Sequence, residues 1–475
     1  MGRGYTSAGL GKTIAVRAAG RSLFVAACLV ASGCANATVA DDLTAPAEAE
    51  VLARVVEKTP STTTTTAAPT TTTSTSTTTS TTTTTRPFNP ECANLPSEVF
   101  EESAAKDALA ARLETAMAHP GFEGHDVSIA VWVDGWGDVA SLNPDLELLP
   151  ASNQKILVAV AANEMLELSS PLTTTIERSG NDVIIRAGAD PTLAFWRLES
   201  AVASTGLTSI DRLIIDVSGY PQPAEANGWL DWHMPDFVGP LSAFMVENNR
   251  WTQDEQLLTH PDRTNGERLA ALLEARDIAV GEVVVADGDI APPPLGEVIT
   301  TIESAPVDAL IRTMLVSSDN QHADLLMMEL GHESSGIGNL ESGALAVETI
   351  LAERCAPVDG SIGDGSGLSR ANFRSARSFV DILTTVQGTP EGELLRSQMP
   401  VGGVSGTLAG RFGGPYAGRV QAKTGTILTG RSLTGWAAMA NGRDAIFSII
   451  VNGEPRSTGP AQGAMDALVR VILDT

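Results

Sequence analysis

Ser152-Asn153-Gln154-Lys155 places a hydroxyl and an amine three positions apart. On a helix, positions i and i+3 share a face, so the Lys155 amine reaches the Ser152 oxygen. A serine hydroxyl is a weak nucleophile at neutral pH and needs a base beside it. A lysine can be that base only if its pKa falls, and desolvation or a second cation nearby lowers it. Two more short patterns follow in order, Ser318-Asp319-Asn320 and Lys423-Thr424-Gly425-Thr426. Lys423 is a candidate for the second cation. Ser318 is a candidate proton relay towards a leaving amine, and Asn320 could hold either Lys155 or a substrate amide. Lys423 with Thr424, Gly425 and Thr426 would receive a substrate carboxylate. The backbone N–H groups of Ser152 and Thr426 would face the developing oxyanion. The chemistry in view is acyl transfer through Ser152.

Taken singly, each pattern has a plainer reading. Ser152 is a natural helix cap, residues 318–320 a turn, and residues 423–426 the end of a strand. The ordered trio, on a helix start, a loop and a strand, is far more specific. It resembles the signature of penicillin-binding proteins and class A β-lactamases. No G-x-S-x-G elbow is present. The six histidines form no HExxH and no Cys/His cluster, so no metal site is expected.

The elements that must hold these residues are legible in outline. Residues 101–118 carry a helical period with Leu109, Leu113, Ala116 and Met117 on one side. Residues 127–133 alternate as a strand, Gly135 to Gly137 turn the chain, and residues 138–142 return. A helix over 153–168 follows Pro150-Ala151-Ser152. Near the end, 420–424, 433–440 and 445–452 read as strands with turns at Gly430 and Asn441-Gly442, and 460–473 as an amphipathic helix. Strands at both ends of the body with helices between them imply an α+β fold, an antiparallel sheet flanked by helices. Residues 175–300 differ in texture, with many prolines and glycines and short strands at 183–187, 212–216 and 283–286. They read as an inserted, mostly-β region between 91–174 and 301–475.

The 475 residues begin with a targeting pattern. Arg3, Lys12, Arg17 and Arg21 precede a short apolar run at 23–31, then Ala35-Asn36-Ala37, an A-x-A-like cleavage site. Ala31-Ser32-Gly33-Cys34 offers a lipoprotein site instead, and an uncleaved anchor is a third reading. The apolar run is short for a span, which needs about 20 residues. All three put the body outside the cytoplasm, in the cell envelope, with membrane contact only through the N-terminus. Residues 41–90 read as a linker whose Ser/Thr run at 61–85 has nothing to bury and reads as a disordered stalk. Outside the cytoplasm, Cys92 and Cys355 can pair or stay as separate thiols. A net charge of −26 gives no support to nucleic-acid binding.

The chain resembles the D-alanyl-D-alanine carboxypeptidase/endopeptidase family of low-molecular-mass penicillin-binding proteins, the S13 or class C type, over most of residues 100–475. Beyond the trio, Ala189-Asp190-Pro191-Thr192-Leu193 is similar to the family's G-D-P-T-L. Leu241-Ser242-Ala243 with Asn248-Asn249 is similar to its S-A-L…N-N segment. Asp364-Gly365-Ser366-Gly367-Leu368-Ser369-Arg370 matches D-G-S-G-L-S-R, and Ser405-Gly406-Thr407-Leu408 leads into the last motif. The resemblance implies a penicillin-binding, serine β-lactamase-like transpeptidase fold split by an insertion. It implies cleavage of terminal D-Ala–D-Ala bonds in peptidoglycan stem peptides, with cross-link cleavage as a further option. It also implies acylation of Ser152 by β-lactams, and no metal or organic cofactor. Two departures stand out. The 166 positions from Ser152 to Ser318 are few for two full inserted domains, and Asp324 stands where the family usually has Glu.

Two other readings compete. A class A β-lactamase would carry a deacylating Glu in E-x-x-x-N after the second motif, and no such pattern follows Asn320. A non-catalytic peptidoglycan-binding envelope module would not need Ser152, Lys155 and Lys423 intact.

Overall fold

The computed structural model describes residues 89, 92, 100–221, 223, 225–234, 236–249, 255–357 and 359–475. The targeting segment and the Ser/Thr stalk read from the sequence lie outside the described residues.

Helix α1 (Ala104–Met117) starts at a Ser103 cap whose hydroxyl accepts from Lys106 N, and it buries Leu109, Leu113 and Met117. Strands β1 (Asp126–Val133) and β2 (Gly137–Leu142) form the hairpin turned by Gly135 and Gly137, both at positive φ. Helix α2 (Gln154–Met165) follows a single 3-10 turn at Ala151–Asn153. The chain continues through β3 (Pro171–Ser179), β4 (Asp182–Arg186), α3 (Phe195–Ala203), β5 (Ser209–Asp216), α4 (Pro261–Glu274), β6 (Ala279–Ala286) and β7 (Glu297–Pro306). Helices α5 (Val307–Ser317), α6 (Asn320–Ser335), α7 (Leu340–Glu353) and α8 (Ala376–Thr384) return the chain to β8 (Val420–Ile427), β9 (Gly430–Ala438) and β10 (Asp444–Asn452). Helix α9 (Ala461–Leu473) closes it.

The first sheet has the order β2-β1-β10-β9-β8, antiparallel throughout. The two ends of the body meet in it: Ile129 sits opposite Ile449 and Val131 opposite Phe447. Strand β10 is buried on both faces because helices cover both. Its period of two divides the core. Ala445, Phe447, Ile449 and Val451 face a layer with α1 and α9, while Ile446 and Ile450 join the larger core around α2. Helix α2 is buried from Gln154 to Ala162, which explains why its sequence is apolar on every side.

The second sheet has the order β6-β5-β4-β3-β7. Strands β4, β5 and β6 run parallel, and β3 pairs antiparallel with β4 and β7. The three strands read from the sequence in this region are present, and helices join them. Parallel neighbours need crossover connections, and α3 and α4 supply these. Phe195, Leu198 and Val202 give α3 its buried stripe. Cys92 is disulfide-bonded to Cys355 with Cα atoms 5.4 Å apart, which ties the start of the body to the residues after α7.

Candidate active site

Ser152 sits in the 3-10 turn that opens into α2, and two contacts, backed by a third within the sheet, fix that turn against the first sheet. Ser432 Oγ donates to the Pro150 carbonyl at 2.7 Å, Asn153 Nδ2 donates to Thr434 Oγ1 at 2.6 Å, and Thr434 shares a hydroxyl bond with Ser448 at 2.8 Å. Strand β8 approaches so closely that a Cβ on Gly425 would lie 2.1 Å from Ser432 Oγ and 2.9 Å from Ala151 Cβ. Glycine between Thr424 and Thr426 is therefore what allows the edge strand to touch the helix start.

Lys155, one turn along the helix from Ser152, is fully buried. Its Nζ donates to Ser152 Oγ at 3.1 Å, to Asn320 Oδ1 at 2.8 Å and to the Ser366 carbonyl. Asn320 opens α6, and its amide Nδ2 donates to the Phe237 carbonyl at 2.9 Å, which orients the oxygen towards Lys155. Ser318 ends α5 in the left-handed region at φ 60°, and that bend turns its hydroxyl to Lys423. Lys423 on β8 is also fully buried, and its Nζ donates to Ser318 Oγ at 2.9 Å and to the Thr424 carbonyl at 2.8 Å. Thr424 Oγ1 donates to Thr407 Oγ1 at 2.7 Å. Ser152, Lys155, Ser318, Asn320 and Lys423 thus come together from four separate elements, with the 424–426 stretch along the edge of β8.

Burial lowers the Lys155 pKa to about 8, against the opposing charges of Asp324, Asp364 and Asp319. Lys423 falls well below the usual lysine range through burial and then the charge of Lys155. Desolvation is thus the main cause that makes the Lys155 ammonium a stronger acid than an ordinary lysine, able to lose its proton at about pH 8. Burial also pushes the Asp324 carboxyl well up, with Asp364 adding to the effect and Lys155 opposing it. Asp324 Oδ1 accepts from the backbone N–H groups of Gly365 and Ser366, both at 2.9 Å. The shorter Asp at this position therefore lies on the loop that supplies the Ser366 carbonyl.

Two contributors have no side-chain signature of their own. The Ser366 and Phe237 carbonyls act through backbone oxygen, so residue type says nothing about them. The 364–370 and 405–408 stretches carried a signal as motif matches, without indicating that the first holds Lys155 and that Thr407 meets Thr424. Among the described residues, no group of three or more His, Cys, Asp or Glu side chains is placed to hold a metal.

A serine–lysine pair whose lysine pKa burial lowers, a second serine–lysine pair and a glycine-bearing edge strand make an arrangement suited to acyl transfer, and the chain as a whole is similar to known proteins. The chain is 27% identical over 413 residues to carboxypeptidase DacB of Mycolicibacterium smegmatis, covering 80% of this chain and 86% of that one. It is 29% identical over 350 residues to a D-alanyl-D-alanine carboxypeptidase of an Actinomadura species, covering 72% of this chain and 61% of that relative. The fold matches penicillin-binding protein 4 (dacB) of Haemophilus influenzae, solved in complex with a β-lactam, with a TM-score of 0.62 and 20% identity, over 77% of this chain and 99% of that one. The model of the D-Ala-D-Ala carboxypeptidase 3 (S13) family matches residues 109–269 and 257–473, a stretch that contains every catalytic candidate named above, and the chain belongs to that family.

Proposed function

We propose that this protein is a serine-type D-Ala-D-Ala carboxypeptidase acting on peptidoglycan stem peptides through an acyl-enzyme on Ser152. The observation that carries the reading is the 3.1 Å contact between a fully buried Lys155 and Ser152 Oγ. Neutral Lys155 takes the hydroxyl proton as Ser152 Oγ bonds to the carbonyl carbon of the penultimate D-Ala. Negative charge gathers on that carbonyl oxygen, facing the backbone N–H groups of Ser152 and Thr426. The C–N bond to the last D-Ala then breaks. Its amine takes a proton through Ser318, which Lys423 contacts at 2.9 Å, and the proton that Lys155 took from Ser152 replaces it, so Lys155 is neutral again. Water enters, attacks the ester with Lys155 again as base, and frees Ser152. The substrate's terminal carboxylate lies along Thr424, Gly425 and Thr426, beside Lys423.

The same geometry supports acylation by β-lactams, whose strained amide meets the same serine. The DacB and D-alanyl-D-alanine carboxypeptidase names of the relatives support the substrate class. We assign residues 91–174 and 301–475 to the peptidase domain and 175–300 to its insertion, whose sheet runs a few residues past both bounds, since β3 begins at Pro171 and β7 ends at Pro306. The Cys92–Cys355 disulfide fits an oxidising, extracytoplasmic location. In that setting the N-terminal 40 residues act as the export signal or envelope anchor, and 41–90 as a spacer.

Mass spectrometry of products tests the proposal. A synthetic stem pentapeptide ending in D-Ala–D-Ala should lose one D-Ala with the wild-type protein and stay intact with Ser152→Ala. Equal release by both proteins would overturn the reading.

A further inference from the structure

The insertion touches the catalytic loops through a short stretch before residue 230. The Asn227 carbonyl accepts from Ser369 Oγ, and the Gly228 carbonyl accepts from Arg370 N at 2.9 Å. Trp229 Nε1 donates to Asp364 Oδ2 at 2.7 Å. Gly228, at φ +81°, lies so near that a Cβ would come within 2.7 Å of Ser369 Oγ and 2.9 Å of Ala371 N.

Asp364 is fully buried and is the centre of the loop it begins. Besides Trp229, its Oδ2 accepts from Ser366 Oγ and Ser369 N, both at 2.8 Å. Its Oδ1 accepts from Gly367 N and Asn372 Nδ2, both at 2.7 Å. This loop does two things at the reacting centre. The Ser366 carbonyl accepts from Lys155 Nζ. Gly367, at φ +89°, lies against the backbone of the nucleophile: a Cβ there would sit 2.0 Å from the Ala151 carbonyl oxygen and 3.0 Å from Ser152 N. A shift of the loop would move the base and crowd the backbone N–H of the nucleophile together.

We propose that Asp364 is a positioning residue for the acylation step, and that Trp229 of the insertion completes it. The indole N–H holds Asp364, Asp364 holds the 364–369 loop, and the loop sets Lys155 and Ser152. The insertion is then part of the machinery that makes Ser152 reactive, beyond any role in meeting the peptide. This inference rests on the acyl-transfer reading of Ser152.

The test uses the full chain and a fluorescent penicillin, with acylation followed by stopped flow across a range of penicillin concentrations. Trp229→Phe keeps an aromatic ring and removes the donor together with the five-membered ring that carries it. Its limiting acylation rate should fall about tenfold, the loss expected for one hydrogen bond to a buried carboxylate, while the half-saturating concentration stays within about twofold of wild type. Asp364→Asn sets an amide among five donors and should lower the same rate by about a hundredfold or more. Thermal melts accompany both, and Trp229→Phe carries the test by itself if Asp364→Asn does not fold. An unchanged limiting rate in Trp229→Phe, or a change confined to the half-saturating concentration, would overturn the inference and leave the acyl-transfer reading standing. A wild-type protein that takes no label would overturn both.

Discussion

Lys423 donates to Ser318 Oγ across 2.9 Å, so each of the two buried lysines at this site has its own serine. The pairing separates two duties that a lone serine–lysine pair would have to combine. In the proposed mechanism Lys155 receives a proton from the nucleophile, and Ser318, beside Lys423, passes one to the leaving amine.

The acylation rate should follow the free-base form of Lys155. Burial lowers its pKa to about 8, so below that pH the amine is mostly protonated and inactive as a base. The rate should climb about tenfold per pH unit up to about pH 8 and then level off. Stopped-flow labelling with fluorescent penicillin checks this. A rate that is flat from pH 6 to 9 would remove Lys155 as the base.

Lys155→Ala should abolish acylation without unfolding the protein. Loss of a general base costs about a hundredfold to ten-thousandfold in rate. The variant deletes a buried amine that desolvation penalises, and it leaves the surrounding apolar helix intact. Far-UV circular dichroism and a thermal melt report the fold, and penicillin labelling reports the chemistry. Unchanged acylation kinetics would contradict the assignment.

Gly425→Ala should damage catalysis more than its size suggests. The added methyl would lie 2.1 Å from Ser432 Oγ and 2.9 Å from Ala151 Cβ, so the edge strand must back away from the start of α2. Overpacking of this kind costs about 1–3 kcal/mol of stability. It should also lower the acylation rate, because Thr426 N–H and Ser152 N–H move apart. Denaturant melts and labelling rates measure the two effects.

The Cys92–Cys355 bond closes a separation of 263 residues. Cys92→Ser should therefore lower stability by about 2–4 kcal/mol, the usual contribution of a native disulfide. Urea unfolding under non-reducing conditions measures it. Neither cysteine contacts Ser152 or Lys155, so labelling of the folded variant at 25 °C should continue.

Much of this could be read from the chain because its local signals agree with its global arrangement. The alternation read over 127–133 indicates a strand, and burial on both faces explains why β10 reads as nearly continuous apolar sequence. Lys155 follows Ser152 by three positions, and that spacing alone places the amine at the hydroxyl. The helices of the insertion were harder to see. Phe195, Leu198 and Val202 make a narrow stripe inside a stretch punctuated by Pro and Gly, and short strands dominate its texture. The links that complete the site were not legible as such. Ser366 and Phe237 contribute carbonyl oxygens, which any residue possesses. Trp229 and Asp364 are 135 positions apart and meet only once the insertion has folded back.

Peptide mapping by mass spectrometry after exposure to benzylpenicillin tests the central claim most directly. A single adduct with the mass of the intact β-lactam should appear on the peptide containing Ser152 and vanish in Ser152→Ala. An adduct on another residue, or one that persists in Ser152→Ala, would contradict the account.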